Sequence, residues 1–286
     1  MRHRTSAPKP RQDVPDLRTA VDSLQRGLEI LRNFRVGDNS LSIGDLSARS
    51  GLPRATVARL INTLAAHRFV CPIPGTDRYR ADVACQSVGR ALLSNHPLVL
   101  AGQAGLRGFT ERFGVDLFIA MRERLDMICI AHCRGAPSET AAGSSQQIAH
   151  DTQVATGALL PIATSAVGRA WLWSQPGHVQ GEIVHHIRAD ASAPSGGGVM
   201  PQVYRAFQEL EEHGFCTQSG EGPRAGSSAV PIAASVAAPI VVAGQTGGAL
   251  ACLAEPGQGD VAKLASTLGP ELVALAQQIG RAAANP

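Results

Sequence analysis

The chain has 286 residues, 44% of them hydrophobic and 17% charged, a composition that supports a sizeable core and excludes wholesale disorder, collagen and coiled coil. The length suits two domains or one large one. The formal charge of +3 hides an asymmetry: residues 1–90 carry 15 Lys or Arg against 8 Asp or Glu, and residues 91–286 carry 11 against 15. A basic first third calls for an anionic partner for that part alone. Only Lys9 and Lys263 are lysines, so Arg supplies nearly all the positive charge, by genomic base composition or by selection for phosphate contacts.

Residues 1–15 read as a disordered basic arm. They hold no apolar stretch of the kind a secretory leader needs, and a cytoplasmic protein is expected. From Val21 to Phe34 the apolar residues Val21, Leu24, Leu28, Leu31 and Phe34 recur at spacings of three and four, which predicts one buried face of a helix. Ser42 is a good N-cap for a second helix, with Asp45 near its positive end. That helix stops at Gly51. Pro53 then sits where a helix accepts proline, and Val57, Leu60, Ile61 and Leu64 form the apolar stripe of a third.

Leu46, small Ser47, Gly51, Leu52, Val57 and Leu60 have the spacing of a helix-turn-helix. With Val57 at the centre of the buried face, a step of about 100° per residue puts Ala55 and Arg59 on the far side. Asn62 and Ala58 flank them, and Arg54 and Thr56 stand on the shoulders. Arg59 has the reach to guanine O6 and N7 in a major groove, while Thr56 or the first amides can hold a phosphate. After it, Arg68-Phe69-Val70, the Pro74-Gly75 turn and Arg78-Tyr79-Arg80 read as two short strands, a wing that lays Arg78 and Arg80 along DNA. An ordinary surface helix and solvated edge-strand charges are the plainer alternatives.

The runs GLEILRNF, LSIGDLSARSGLPRATVARLINTLAAHRFV and DRYRADVACQSVGRALL resemble the winged helix-turn-helix of the isocitrate-lyase-regulator (IclR) family of bacterial transcription regulators. The segment Gly51 to Leu60 resembles that family's recognition-helix pattern in particular.

From Asp82 to Phe113 the chain reads as a helical linker broken at His96-Pro97. Val115–Met121 and Met127–Cys133 predict a hairpin around Arg122-Glu123-Arg124. Simple alternation places Cys129 and Cys133 on one face, about 13 Å apart and too far for one metal, with His132 on the other. The six cysteines form no CxxC pair and read as reduced core thiols. Residues 136–157 look like a flap. Pro161–Trp173 reads as a strand entering a helix, Pro201–His213 as a helix ending at Gly214, and Val261–Ile279 as a final helix kinked at Gly269-Pro270. Residues 225–254 contain no charge, but prolines and glycines divide them into two strands, Ser235–Val242 and Ala249–Leu253, rather than a membrane span. The fold class expected is α+β, helices packed on an antiparallel sheet.

The resemblance continues through PIATSAVGRAWLW, LEEHGF, ASVAAPI and GGALACLA. It implies a GAF-like domain that binds a small effector and makes homodimer or homotetramer contacts. Leu160, Ala166 and Val167 correspond to the turn whose backbone amides hold a small acid in family members. Ser235 corresponds to a position that is commonly Cys, Gln218 approximately to an acidic one, and Ala251 and Leu253 to two serines of small-acid binders. Losing two hydroxyls and gaining a leucine points to a less polar effector, an organic or aromatic acid.

The rival class is an enzyme or sensor with a DNA-binding module attached. No P-loop, GxSxG elbow, HExxH or GxGxxG opening a helix occurs, and Ser195–Gly198 reads as a linker. Neighbouring His185 and His186 diverge on a helix, and no metal or cofactor is expected. The organisation expected is arm 1–15, DNA-binding domain 16–81, helical linker 82–113, and effector and oligomerisation domain 114–286. The DNA contacts expected are Arg54, Ala55, Thr56, Arg59, Arg78 and Arg80, on a partly symmetric double-stranded operator.

Overall fold

In the computed structural model the described residues are 21–35, 37–135, 154–189, 199–219, 234–253 and 261–285. The N-terminal arm, most of the expected flap and the Ser195–Gly198 run lie outside them. The chain divides into two compact units, Met1–Val88 and Gly89–Pro286.

The first unit runs α1 (Asp22–Arg32), β1 (Leu41–Ser42), α2 (Ile43–Ser50), α3 (Arg54–Ala66), β2 (Val70–Pro72) and β3 (Arg78–Ala81). Its boundaries follow local chemistry. Ser42 Oγ accepts the Asp45 N–H at 3.1 Å while Asp45 Oδ2 accepts the Ser42 N–H at 3.0 Å, a capping box that satisfies two first-turn donors. Gly51 ends α2 in the left-handed region at φ 69°, where a side chain would be strained. Ser47 Oγ then donates to the Leu52 carbonyl at 2.7 Å and fixes the turn into α3. Ile30, Leu41, Leu46, Val57, Ile61 and Val70 form the core, each contributing roughly 1.5–3 kcal/mol by burial. The three strands pair in the order β1-β3-β2, all antiparallel.

Helix α1 buries only part of the expected stripe. Leu31 and Phe34 pack against the core beside the buried Gly27 and Ile30, but Val21, Leu24 and Leu28 are 64%, 61% and 51% exposed. A Cβ on Gly27 would lie 3.9 Å from Leu60, so the helix approaches α3 through its smallest residue and leaves Leu24 and Leu28 outward. Periodicity marks an apolar stripe; it does not say what covers it.

Helix α4 (Val83–Asn95) runs across the boundary between the units. His96 interrupts the helical run and its Nδ1 accepts the Leu98 N–H at 3.3 Å, so α5 (Pro97–Phe113) starts with proline in its first turn. The second unit continues with β4 (Asp116–Glu123), β5 (Asp126–Cys133), β6 (Leu159–Pro161), α6 (Ala166–Trp173), α7 (Gly177–Ala189), α8 (Met200–His213), β7 (Cys216–Gln218), β8 (Ser235–Val242), β9 (Gln245–Leu253) and α9 (Val261–Ala284). Its six strands form one antiparallel sheet in the order β6-β5-β4-β9-β8-β7. One face packs against α6, α7 and α8, the other against α5 and α9. The fold is α+β.

Three expectations change here. Strand β9 begins at Gln245, because Ala243 and Gly244, both at positive φ, close a two-residue turn. In β5 the register shifts between Ile119 and Ala120 of its partner: Cys129 pairs Ala120, Ile130 is extra, and Ala131 pairs Ile119. This bulge reverses the alternation beyond it. Cys129 and Cys133 therefore lie on opposite faces, and His132 shares the face of Cys129. Helix α9 continues through Pro270 to Ala284 rather than ending at Ile279.

Candidate functional site

The outward face of α3 is the first candidate. No side chain caps α3; the Thr56 and Val57 N–H groups bond to the Pro53 carbonyl at 2.9 and 3.0 Å. The amides of Arg54 and Ala55 have no partner among the described residues, leaving donors at the positive end of the helix. Val57 and Ile61 are buried, Ala55, Arg59 and Asn62 exposed, and Thr56 and Ala58 half-buried. The guanidinium of Arg54 lies over Gly44 at the start of α2.

The arginines of this unit divide into two sets. Arg49 forks onto Asp38 at 2.6 and 2.9 Å and Arg68 pairs Asp82 at 2.6 Å. These pairs hold both carboxyls below the ordinary aspartate value, the arginine hydrogen bond being the largest cause in each. Arg78 is engaged as well: it donates to Ser40 Oγ at 2.7 Å, to the Ser40 carbonyl at 2.8 Å and to Asp45 at 3.3 Å, clamping the wing to the chain before α2. Arg54 and Arg59 have no ion-pair or hydrogen-bond partner among the described residues, and Arg80 has only the Cys71 thiol at 3.3 Å.

The second candidate lies where α6 starts over the sheet. Ser165 caps the helix, its Oγ accepting the Gly168 N–H at 3.1 Å. A Cβ on Gly168 would lie 2.4 Å from Ile162 Cα, so only glycine lets the helix start this close to the turn. Arg169, 4% exposed, clasps that turn by donating to the carbonyls of Ala163 at 2.9 Å and Thr164 at 3.0 Å, and to Gln202 Oε1 at 2.8 Å.

Four adjacent strands present one row of side chains to this side of the sheet. Gln218 pairs Ser235, Ser235 pairs Leu253, and Leu253 pairs Asp116. Cys216, Ala237, Ala251 and Phe118 form the next row, with His132 beside Phe118. Leu160, Ala166, Val167, Ser235, Ala251 and Leu253 are all buried and Gln218 half-buried. Of these, Gln218 touches the start of α6 directly: its Oε1 accepts the Ala166 N–H at 2.8 Å. The Cys216 thiol meets the Ala166 carbonyl at 3.3 Å, and burial pushes that thiol up to about 12.

Sequence reasoning missed Asp116. Its Oδ1 accepts the Gly135 N–H at 2.8 Å, and its Oδ2 lies 3.4 Å from His132 Nε2. Burial pushes the carboxyl up, but His132 and the Gly135 N–H outweigh it and hold it below the ordinary value. Only strand register reveals that Asp116 stands in line with Leu253, Ser235 and Gln218.

A winged helix-turn-helix unit followed by an antiparallel sheet with helices on both faces defines a DNA-binding regulator of one particular architecture. The IclR helix-turn-helix domain matches residues 23–71. The transcriptional regulator TsaQ1/TsaQ2 of Comamonas testosteroni is 26% identical over 195 residues, covering 68% of this chain and 66% of that protein. An IclR family transcriptional regulator from Brucella abortus has a TM-score of 0.76 and 27% identity, covering 96% of this chain and 95% of that one. An IclR homologue from Microbacterium hydrocarbonoxydans, complexed with 4-hydroxybenzoate, has a TM-score of 0.60 at 16% identity, covering 91% and 99% of the two chains. Residues 23–71 thus carry an IclR-type helix-turn-helix domain, and over most of its length the chain is similar to IclR-family transcription regulators. Its relatives are named as regulators, and no described helix is long and apolar enough to cross a membrane.

Proposed function

We propose that the protein binds a partly symmetric operator in the cytoplasm as a homodimer or homotetramer, and that a less polar, aromatic carboxylic acid controls this binding. The DNA-binding domain is residues 16–81, the linker 82–113 and the effector domain 114–286. The observation that carries the reading is the outward face of α3, where Arg54, Ala55, Thr56 and Arg59 flank an uncapped helix start, with Arg80 on the wing bonded to no carboxylate among the described residues, only to the Cys71 thiol. Arg78 serves by bracing the wing. Fluorescence anisotropy with DNA flanking the coding region, across a salt series and against random DNA, tests this. Tight binding above the random control is expected; equal binding to both would remove the regulator reading.

The effector class follows from the lining. Ala237, Ala251, Phe118 and Leu253 give the sheet side of the cradle an apolar patch beside the polar Gln218, Ser235 and Asp116, with the amides of Ala166 and Val167 at the helix end. The 4-hydroxybenzoate bound by the Microbacterium homologue has the matching shape, an aromatic ring ending in a carboxylate. Benzoate-like acids are expected to bind tighter than pyruvate-like ones, and calorimetric titration giving the opposite order would overturn the class. A ligand changes DNA affinity only through its different affinities for the two arrangements of the protein.

The exposed stripe Val21, Leu24 and Leu28 supports pairing through a second copy of α1, since the 3,4 spacing is that of a helix–helix seam. Replacing Leu24 and Leu28 by Glu is expected to leave the unit folded, because neither side chain belongs to its core. It should lower operator affinity by roughly tenfold or more, the scale of losing one buried leucine contact. Light scattering after size exclusion would show smaller particles; an unchanged assembly and affinity would rule this seam out.

A further inference from the structure

We infer that Gln218 is a built-in competitor for the effector carboxylate, a specificity residue that fills the amide cradle of α6 until an acid displaces it. The inference rests on the proposal that the effector is an acid held at that helix start. Four N–H groups open α6, and the chain itself has taken three. Gly168 donates to Ser165 Oγ, Arg169 to the Ser165 carbonyl at 3.0 Å, and Ala166 to Gln218 Oε1 at 2.8 Å. The Val167 N–H has no partner among the described residues.

The Ser165 bonds are local and hold the turn itself. The Gln218 bond is different in kind, because its acceptor comes from 52 residues away on the sheet. A side-chain amide oxygen facing a helix N-terminus occupies the place a carboxylate oxygen would take, but as a neutral group. Since an N–H must face an acceptor, Oε1 is the end turned to Ala166 and the amide nitrogen points away. A ligand carboxylate brings a full negative charge to the positive end of the helix, and hydrogen bonds to a charged acceptor are roughly twice as strong as neutral ones. The acid therefore wins the amide, at the cost of breaking the glutamine bond.

That bond also joins two elements. Gln218 and Cys216 of β7 hold the N–H and the carbonyl of the same residue, Ala166. Displacing Gln218 removes one of the hydrogen bonds that tie β7 to α6 and leaves the Cys216 thiol and the shared core packing, so occupation of the cradle is coupled to the packing of this edge strand.

The test is made on the full-length protein with benzoate and 4-hydroxybenzoate as probes. Binding is read by calorimetry and by the emission of Trp171 and Trp173, the chain's two tryptophans, which both lie on α6. Gln218→Ala is expected to bind these acids at least fivefold tighter than the wild type. Gln218→Met, which keeps the chain length and removes the oxygen, should do the same if the alanine variant is poorly folded. Gln218→Glu carries a tethered carboxylate and is expected to bind them at least tenfold weaker. Without added acid, its DNA affinity should match that of the acid-saturated wild type, a result that a merely structural role would not give. Binding by Gln218→Ala when the wild type binds neither acid also supports the competitor. If the wild type binds and the alanine and methionine variants bind equally or more weakly, the competitor is overturned while the acid reading stands. If neither wild type nor variants take up either acid, both fall.

Discussion

Gly168→Ala is expected to destabilise the second unit by about 2–3 kcal/mol, the range of a forced overpacking. The added Cβ would lie 2.4 Å from Ile162 Cα, 2.5 Å from its carbonyl oxygen and 2.7 Å from its carbonyl carbon. All three are backbone atoms, so no rotamer change relieves the clash. The helix must back away from the turn that Arg169 clasps, and the amides of Ala166 and Val167 move with it. The opposing gain, alanine over glycine in a helix, is about 1 kcal/mol at most. Gly108→Ala is the internal control: that glycine is exposed on α5, a Cβ there meets nothing within 4 Å, and a gain of about 0.5–1 kcal/mol is expected. Urea unfolding of the two variants should shift the midpoint in opposite directions. Shifts of the same sign would mean that the approach of α6 to the turn is not tight.

Arg59→Ala is expected to cost about 1–3 kcal/mol of operator binding, roughly 5- to 150-fold, and to relax sequence choice at one position of each half-site. Arg59 is exposed at the middle of the outward face of α3, and no described carboxylate competes for its guanidinium. Arg78→Ala provides the contrast. Its guanidinium is committed to Ser40 and Asp45, so its removal should loosen the wing, cost about 0.5–1 kcal/mol of stability and weaken specific and random DNA alike. Competition anisotropy separates the two. Equal losses on operator and random DNA for Arg59→Ala would remove its role in reading bases.

Much of the first unit was legible because its signals are local. Ser42, Gly51 and Pro53 each act within a turn of their own position, and the stripe of α3 has a single possible partner in so small a core. The face buried by α1 was legible only in part: Leu31 and Phe34 pack as expected, whereas Leu24 and Leu28 advertise burial while the approach to α3 is made by Gly27. In the second unit the helix boundaries at His96 and Gly214 were likewise readable from residue chemistry. The row from Asp116 to Gln218 was not, because it exists only once four strands from distant parts of the chain are in register. Resemblance to the family pointed to Gln218 as an approximate counterpart; that its amide oxygen would sit on the Ala166 N–H is a matter of three-dimensional reach.

The extra residue in β5 carries a broader consequence. Along a strand, side chains are sorted by odd and even position, so one inserted residue works like a change of parity: every later position exchanges faces. Here it turns the imidazole of His132 toward the cradle side and sends the thiol of Cys133 to the helices α5 and α9. A change of length at Ile130 would thus rewrite the chemistry on the cradle side without substituting any residue there. An insertion or deletion of one residue in β5 would therefore re-sort that face as fully as a set of substitutions would.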